Sequence, residues 1–190
     1  MTDERDPAPA AAGARDPVPG VPVVVIGLMG AGKTTLAQLL AAEWGRTLSD
    51  SDTDLELATG VTARQIATSY GLARLHRLEA AHLLRALRVQ PALVIAAAAS
   101  TVEREDCREA LRDAVVVWLD IPVVELARRL ASGTHRPELG PDVEAEIAAL
   151  DAARRAGFRQ IATVVLNDGE PADWLRAVDR AVAERRRPSP

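Results

Sequence analysis

The chain is poor in aromatic residues and in cysteine. Its 190 residues include one Cys, one Phe, one Tyr and three Trp, and aromatic residues make up 3% of the sequence. The single cysteine, Cys107, excludes an internal disulfide and a cysteine-based metal cluster. It lies in a polar segment predicted to be helical, which is typical of a surface or half-buried thiol rather than a nucleophile. With 48% hydrophobic residues, the core must therefore be filled by Ala, Val and Leu.

Long hydrophobic segments are absent as well. No stretch reaches the roughly 18 consecutive apolar residues that a membrane span requires. The acidic residues 1–6 lack the basic start and apolar centre of a signal peptide. The net charge of −4 argues against a general binder of nucleic acid or of anionic membranes. We therefore expect a cytoplasmic monomer whose partner is a small molecule.

The two ends of the chain differ in composition from its middle. Residues 1–20 contain Pro, Ala, Gly and charged residues without periodicity, which predicts a disordered N-terminal tail. Residues 185–190 read Arg-Arg-Arg-Pro-Ser-Pro and predict a flexible C-terminal tail. Residues 21–184 form the predicted domain, of the α/β class. Its strand candidates are continuous apolar runs, which favours a parallel sheet covered by helices on both faces.

Lysine is equally scarce: Lys33 is the only one, and every other basic side chain except histidine is arginine. It belongs to the sequence Gly-Leu-Met-Gly-Ala-Gly-Lys-Thr-Thr, residues 27–35, which joins an apolar strand to a helix. This is the phosphate-binding pattern Gly-x-x-x-x-Gly-Lys-Thr in its required context. A glycine-rich turn with an incidental lysine would not explain the full spacing. The predicted nucleotide-binding residues are Gly27, Gly30, Ala31, Gly32, Lys33, Thr34 and Thr35.

Three carboxylates follow the predicted second strand at alternate positions, Asp50, Asp52 and Asp54. They would repel one another unless a cation or a hydroxyl-bearing ligand lay nearby. The alternative is a solvated turn in which an Asp caps a helix. The phosphate-binding loop favours the first interpretation, because neighbouring parallel strands end at one edge of the sheet, where Mg²⁺ and an acceptor would bind.

The ordered set of motifs resembles the shikimate kinases over about residues 23–178. Besides the loop and the aspartates, it includes Gly71 with Arg77-x-Glu79, Arg136-Pro137 and the segment from Arg154 to Arg159. The resemblance implies a three-layer α/β/α fold like that of nucleoside monophosphate kinases, with a five-stranded parallel sheet and a helical lid. Family members transfer the γ-phosphoryl group of Mg-ATP to the 3-hydroxyl of shikimate in aromatic amino acid biosynthesis.

The resemblance also implies roles for single residues. ATP and Mg²⁺ would be the cofactors, with Thr34 and Asp50 as metal ligands. Lys33, Asp52 and Arg136 would be catalytic, Arg136 from the lid and Asp52 by accepting or orienting the substrate hydroxyl. A slip of two residues would move that base to Asp54. The implied substrate-binding residues are Asp52, His76, Arg77, Ser100 and Arg159, and the implied adenine-contacting turn spans residues 167–171.

The acceptor side departs from the family pattern in three places. A Gly-Gly-Gly run is replaced by Ala-Ala-Ser at residues 98–100, where added Cβ atoms would narrow the pocket and disfavour positive φ. The arginine that would share the substrate carboxylate with Arg159 is His76, unless Arg77 takes its place. A Pro-Leu-Tyr stretch is replaced by Ala-Gly-Phe at residues 156–158. We therefore expect ATP binding to be retained and the acceptor to be bound weakly or to be different.

Two functions from different classes follow. The first is a small-molecule kinase acting on a hydroxyl of shikimate or a related cyclic polyol. The second is a nucleotide-binding homologue with little or no catalysis, working as a regulatory or interaction module. Asp52 favours the first, because a nucleotide sensor does not need it, whereas the altered residues 98–100 favour the second. Small size and acidity disfavour a P-loop enzyme that processes nucleic acid.

Overall fold

The fold is built on one parallel sheet. The computed structural model describes residues 16–132, 142–167 and 169–185. The spatial order of the strands is β2-β3-β1-β4-β5, and all four neighbouring pairs are parallel, which confirms the predicted sheet. The strands are β1 Val23–Ile26, β2 Leu48–Asp50, β3 Val94–Ala96, β4 Val115–Leu119 and β5 Val164–Leu166.

Helices cover both faces of the sheet. Within the described residues they are α1 Lys33–Trp44, α2 Ser51–Thr59, α3 Ala63–Tyr70, α4 Leu72–Ala86, α5 Glu105–Ala110, α6 Val123–Ser132, α7 Val143–Ile161 and α8 Pro171–Arg185. Short 3₁₀ turns occupy Ala99–Glu103 and Leu111–Asp113. No helix in these described ranges is both long and apolar enough to cross a membrane.

The core lies on both sides of the central strand. All four residues of β1 have no exposed surface, which is the burial expected of an apolar parallel strand covered on both faces. On one face α1 and α8 pack together, and Trp44 Nε1 donates a hydrogen bond to Asp179 Oδ1 at 3.0 Å. On the other face Phe158 of α7 stacks on Trp118 of β4, with ring centroids 5.7 Å apart.

A smaller cluster holds α2 and α3 against α4. It is centred on Leu55, Ile66 and Leu75, one buried residue from each helix. Thr62 and Gln65 form a capping box at the start of α3, which fixes where that helix begins. His82 of α4 lies within hydrogen-bond distance of Ser49 in β2 and of Asp54 in α2, so residues from three elements meet at one edge of the sheet.

Two expectations about burial need correction. Cys107 is fully buried in the core rather than at the surface or half-buried. Residues 16–20, assigned to the N-terminal tail, contact the domain instead: the guanidinium of Arg46 binds both carboxylate oxygens of Asp16, at 2.7 and 2.8 Å, and Val18 is buried. The rest of the predicted tail, residues 1–15, lies outside the described residues, as do residues 186–190.

Candidate active site

The turn between β1 and α1 leaves the N-terminus of α1 open. Gly32, which precedes the helix, has φ +97° and no side chain caps the first turn. At Gly27 a Cβ atom would lie 2.9 Å from the carbonyl oxygen of Leu119, so only glycine allows this close approach. An uncapped helix start after a glycine-rich turn presents backbone N–H groups and the positive end of the helix dipole to an anion. The loop therefore has the geometry of a phosphate site.

Trp174 of α8 packs against this loop at Gly32. A Cβ atom at Gly32 would lie 3.2 Å from the Trp174 ring, and the indole Nε1 donates a hydrogen bond to the carbonyl oxygen of Asn167 at 2.9 Å. One side chain thus contacts the phosphate loop and also holds the beginning of the turn predicted to contact adenine. Asp168, within that turn, lies outside the described residues.

Lys33 projects over the loop from the first position of α1. Its Nζ donates a hydrogen bond to the carbonyl oxygen of Leu28 at 3.1 Å. Desolvation lowers the pKa of Lys33, while the charges of Asp52, Asp50 and Glu79 oppose that change. Bound phosphates would add negative charge beside the amine and favour its charged form.

Thr34 and Asp50 meet at the position predicted for a metal ion. The Thr34 hydroxyl donates a hydrogen bond to Asp50 Oδ2 at 2.7 Å, and Asp50 Oδ1 accepts from the backbone N–H groups of Asp52 and Thr53. A hydroxyl and a carboxylate are the hard oxygen donors that Mg²⁺ prefers. In the described part of the chain no three His, Cys, Asp or Glu side chains cluster as a metal cage. This pair therefore fits Mg²⁺ that takes its other ligands from phosphates and water.

The other two aspartates of the series differ in their surroundings. Asp52 keeps part of its surface exposed to solvent; partial burial of its carboxyl group raises its pKa, while the charge of Lys33 acts in the opposite direction. Asp54 accepts hydrogen bonds from Ser49 Oγ at 2.6 Å and from His82 Nε2 at 2.8 Å. Asp54 is therefore engaged in holding α2 against β2 and α4, and Asp52 is the carboxylate whose charge acts most strongly on Lys33. We call the space between Lys33, Asp52, Glu79 and Arg154, whose charges act on one another, the cleft.

Glu79 is buried on the acceptor side. Its carboxylate accepts a hydrogen bond from the hydroxyl of Ser100, which is also buried, whereas Arg77 is exposed. Burial raises the pKa of Glu79; the Ser100 hydrogen bond and the charges of His76 and Arg154 oppose this rise, and Asp52 adds to it. The predicted residues His76 and Ser100 thus lie around a carboxylate that the sequence did not assign to the site.

Arg154, rather than Arg159, is directed toward this cluster. Its charge acts on both Lys33 and Glu79, and its buried guanidinium donates from Nε to Glu103 Oε1 at 2.6 Å. Arg159 is exposed, and no described hydrogen bond or ion pair joins it to the cleft. Arg136, the predicted lid arginine, lies outside the described residues.

Comparison with known proteins decides the family. The family model described as shikimate kinase matches residues 29–185. The chain belongs to the shikimate kinase family. Shikimate kinases of Corynebacterium glutamicum and Symbiobacterium thermophilum are 35% and 39% identical to it, over 82% and 75% of this chain and 93% and 83% of theirs. The family and the loop together make the chain an ATP-dependent kinase with a hydroxyl acceptor.

Solved shikimate kinases share the fold. The enzyme of Acinetobacter baumannii, solved in complex with shikimate, superposes with a TM-score of 0.80 at 29% identity, covering 87% of this chain and 95% of that one. The enzyme of Bacteroides thetaiotaomicron superposes with a TM-score of 0.74 at 22% identity, covering 87% and 97%. These likenesses confirm the predicted α/β/α P-loop kinase fold.

The sequence interpretation named Arg154 only as the start of a motif and gave it no role, although helix periodicity contained the signal that it is buried. Arg154 comes seven residues after Ile147 and four before Phe158, both fully buried, so it shares their face of α7. Arg159 follows Phe158 directly and turns away from that face. The contacts of Ser49 and His82 with Asp54 had no comparable signal, because they join three separate elements.

Proposed function

We propose that this chain transfers the γ-phosphoryl group of Mg-ATP to a hydroxyl of shikimate or a related cyclic polyol. The main support is that Lys33, the Thr34–Asp50 pair and Asp52 converge at the carboxyl edge of the parallel sheet, with Lys33 interacting electrostatically with both aspartates. The relatives to which the chain is similar are named shikimate kinases, and the Acinetobacter enzyme was solved with shikimate.

The chain's own groups suit phosphoryl transfer. The N–H groups at the start of α1 and the Lys33 amine would hold the phosphates and neutralise charge on the transferring group. Thr34 and Asp50 would hold Mg²⁺, which supplies further charge neutralisation when bound. The acceptor oxygen forms a bond to the γ-phosphorus while the bond from that phosphorus to the bridging oxygen breaks and its electrons stay with ADP. The hydroxyl proton passes to Asp52.

Asp52 suits this role because of its position and its pKa. Desolvation raises the pKa of Asp52 and so makes it a better proton acceptor than a fully hydrated aspartate. Its neighbour Asp54 already accepts two hydrogen bonds, one from Ser49 and one from His82. We therefore assign the base to Asp52 and a positioning role to Asp54.

On the acceptor side we assign the buried guanidinium to Arg154 in place of Arg159. Arg154 interacts with Glu79 and Lys33, whereas Arg159 is exposed on the neighbouring face of α7. A guanidinium there can donate hydrogen bonds to acceptor oxygens. Arg136 remains the predicted lid arginine that contacts the phosphates.

The Ala-Ala-Ser run does not by itself favour the non-catalytic alternative. Ala98 has φ −64° and ψ 142°, and no described residue other than glycine has positive φ. The backbone has therefore adopted a conformation that the added Cβ atoms tolerate, and Ser100 has gained a partner in Glu79. These features support an acceptor pocket that is altered but ordered.

A coupled assay of ADP release from Mg-ATP, with and without shikimate, tests the proposal. We expect acceptor-dependent release by the wild-type protein and a loss of about a thousandfold or more in Lys33→Met, because the main protein charge on the transferring group is removed. The melting temperature of Lys33→Met serves as the control for folding and should not fall, since the lost amine is desolvated. Wild-type turnover in this variant would contradict the mechanism.

A further inference from the structure

Among the described residues, carboxylate and hydroxyl oxygens of Glu79, Ser100 and Asp52 lie on the acceptor side of the cleft. Glu79, 7% exposed, accepts the hydrogen bond of Ser100, 5% exposed, and its carboxylate interacts electrostatically with Asp52. A carboxylate accepts hydrogen bonds and donates none when ionised, whereas a serine hydroxyl can accept as well as donate. These groups match hydroxyl donors on a substrate better than they match a second carboxylate.

Arg154 already has an anionic partner. Its Nε donates to Glu103 Oε1 at 2.6 Å, and only 9% of its side chain is exposed. A substrate carboxylate would have to share this guanidinium with Glu103 and would lie near the charge of Glu79. Bringing another anion into such a setting costs desolvation and repulsion that a single shared guanidinium offsets poorly.

Among the described residues, His76 is a further polar side chain on this side of the cleft. It lies on α4 one turn before Glu79, is half-buried, and its charge acts on the Glu79 carboxylate. An imidazole presents at most one donor on each nitrogen, whereas a guanidinium presents a planar fork that binds both oxygens of a carboxylate. At this position the chain can form a single hydrogen bond with a hydroxyl group. It lacks the two parallel donors that would bind both oxygens of a carboxylate.

We propose that the acceptor subsite selects an uncharged polyhydroxylated compound over a carboxylated one. Asp52 and Glu79 accept hydrogen bonds from its hydroxyl groups, and Ser100 and His76 complete the polar lining. This inference rests on the proposed kinase activity and specifies the class of acceptor. His76 and the Glu79–Ser100 pair are the residues that determine the specificity.

A matched pair of acceptors isolates the charge. Shikimate and its carboxamide have nearly the same shape and the same ring hydroxyls, and they differ by one negative charge. We expect wild-type kcat/KM with the carboxamide to equal or exceed that with shikimate. His76→Arg should move the ratio toward shikimate by at least about tenfold, since it adds a charged hydrogen-bond donor for the carboxylate.

A control variant separates this local effect from a change in net charge. Ala81 is exposed on the outer part of α4, so Ala81→Arg adds the same charge away from the cleft. We expect the ratio of the two kcat/KM values to stay at the wild-type level in Ala81→Arg. An equal shift in Ala81→Arg and His76→Arg would overturn the assignment of His76.

The outcomes distinguish this inference from the proposed function. A wild-type preference for shikimate of more than about tenfold would overturn the inference and leave the kinase activity standing. Phosphorylation of neither compound, with ATP binding shown separately, would overturn the proposed function and this inference with it. A preference for the carboxamide that His76→Arg reverses would support both.

Discussion

The carboxylate of Glu79 is buried, so its ionised form lowers the stability of the folded protein. Burial raises its pKa above that of the unfolded chain, so the folded state binds its proton more tightly. The free energy of unfolding therefore falls as pH rises from the unfolded pKa, near 4.5, through the higher pKa of the folded state. A group that lowers stability at neutral pH and lies beside Asp52 is typical of a site selected for function rather than for stability.

Glu79→Gln tests this cost directly. The amide oxygen can still accept the hydrogen bond of Ser100, but the side chain no longer titrates. At pH 7 to 8 we expect a higher melting temperature than in the wild type, by about 2–4 °C for each kcal/mol gained. The difference should shrink toward about pH 4, where the wild-type carboxyl is protonated in both states. Melting curves across this pH range would contradict the account if the two proteins showed the same pH dependence.

His82 is a second buried titratable residue, and its effect is structural. Its ring is 3% exposed, Nε2 lies 2.8 Å from Asp54 Oδ2, and Nδ1 has no hydrogen-bond partner. His82→Leu should lower the free energy of unfolding by about 1–3 kcal/mol, because Asp54 loses a partner. His82→Gln can place an N–H near the same oxygen and should lose less. Urea denaturation measures both; equal losses would show that packing, not the hydrogen bond, matters.

Among the secondary-structure elements, contiguous valines made β1 and β4 predictable to the residue. Other boundaries were set by contacts that the sequence does not show. A glycine in a helical segment often marks its end, yet α7 continues through Gly157 to Ile161. A Cβ atom at Gly157 would lie 3.0 Å from the carbonyl oxygen of Val102, so this glycine allows α7 to approach the turn after β3.

Helix α8 links the phosphate loop to the predicted adenine turn through Trp174. Trp174→Phe keeps an aromatic ring against Gly32 but removes the hydrogen bond to Asn167. We expect KM for ATP to rise severalfold with little change in kcat, because ground-state nucleotide binding weakens while the reacting groups stay in place. Steady-state kinetics with ATP varied at saturating acceptor measures this. A fall in kcat at unchanged KM would place Trp174 in the catalytic step instead.

At the scale of the whole molecule, the phosphate loop and the apolar strands predicted a parallel α/β sheet, and the family resemblance supplied its five strands. The acceptor side was harder to predict because its residues come from β2, α2, α4, the turn after β3 and α7. Arg154 and Glu79 come close enough to act on Lys33 only when these elements pack together. Sequence spacing within one helix could identify a buried face, but not which cleft that face would border.

The reactivity of the Cys107 thiol measures opening of the entire domain. It is fully buried in the core, and burial raises its pKa to about 11. Because the thiolate is the reactive form, we expect no reaction with a thiol reagent at pH 8 unless the domain opens, and complete reaction in denaturant. Bound Mg-ATP should slow the reaction further by stabilising the folded state. Rapid stoichiometric labelling of the native protein would contradict the buried position.

Phosphoryl transfer to a hydroxyl is the central claim, and direct observation of the product tests it most simply. Mass spectrometry of shikimate and of its carboxamide, each incubated with Mg-ATP and the purified protein, measures that product. The account predicts a gain of one phosphoryl group on at least one acceptor, and none with Lys33→Met. ATP binding without any phosphorylated acceptor, or release of inorganic phosphate alone, would contradict it.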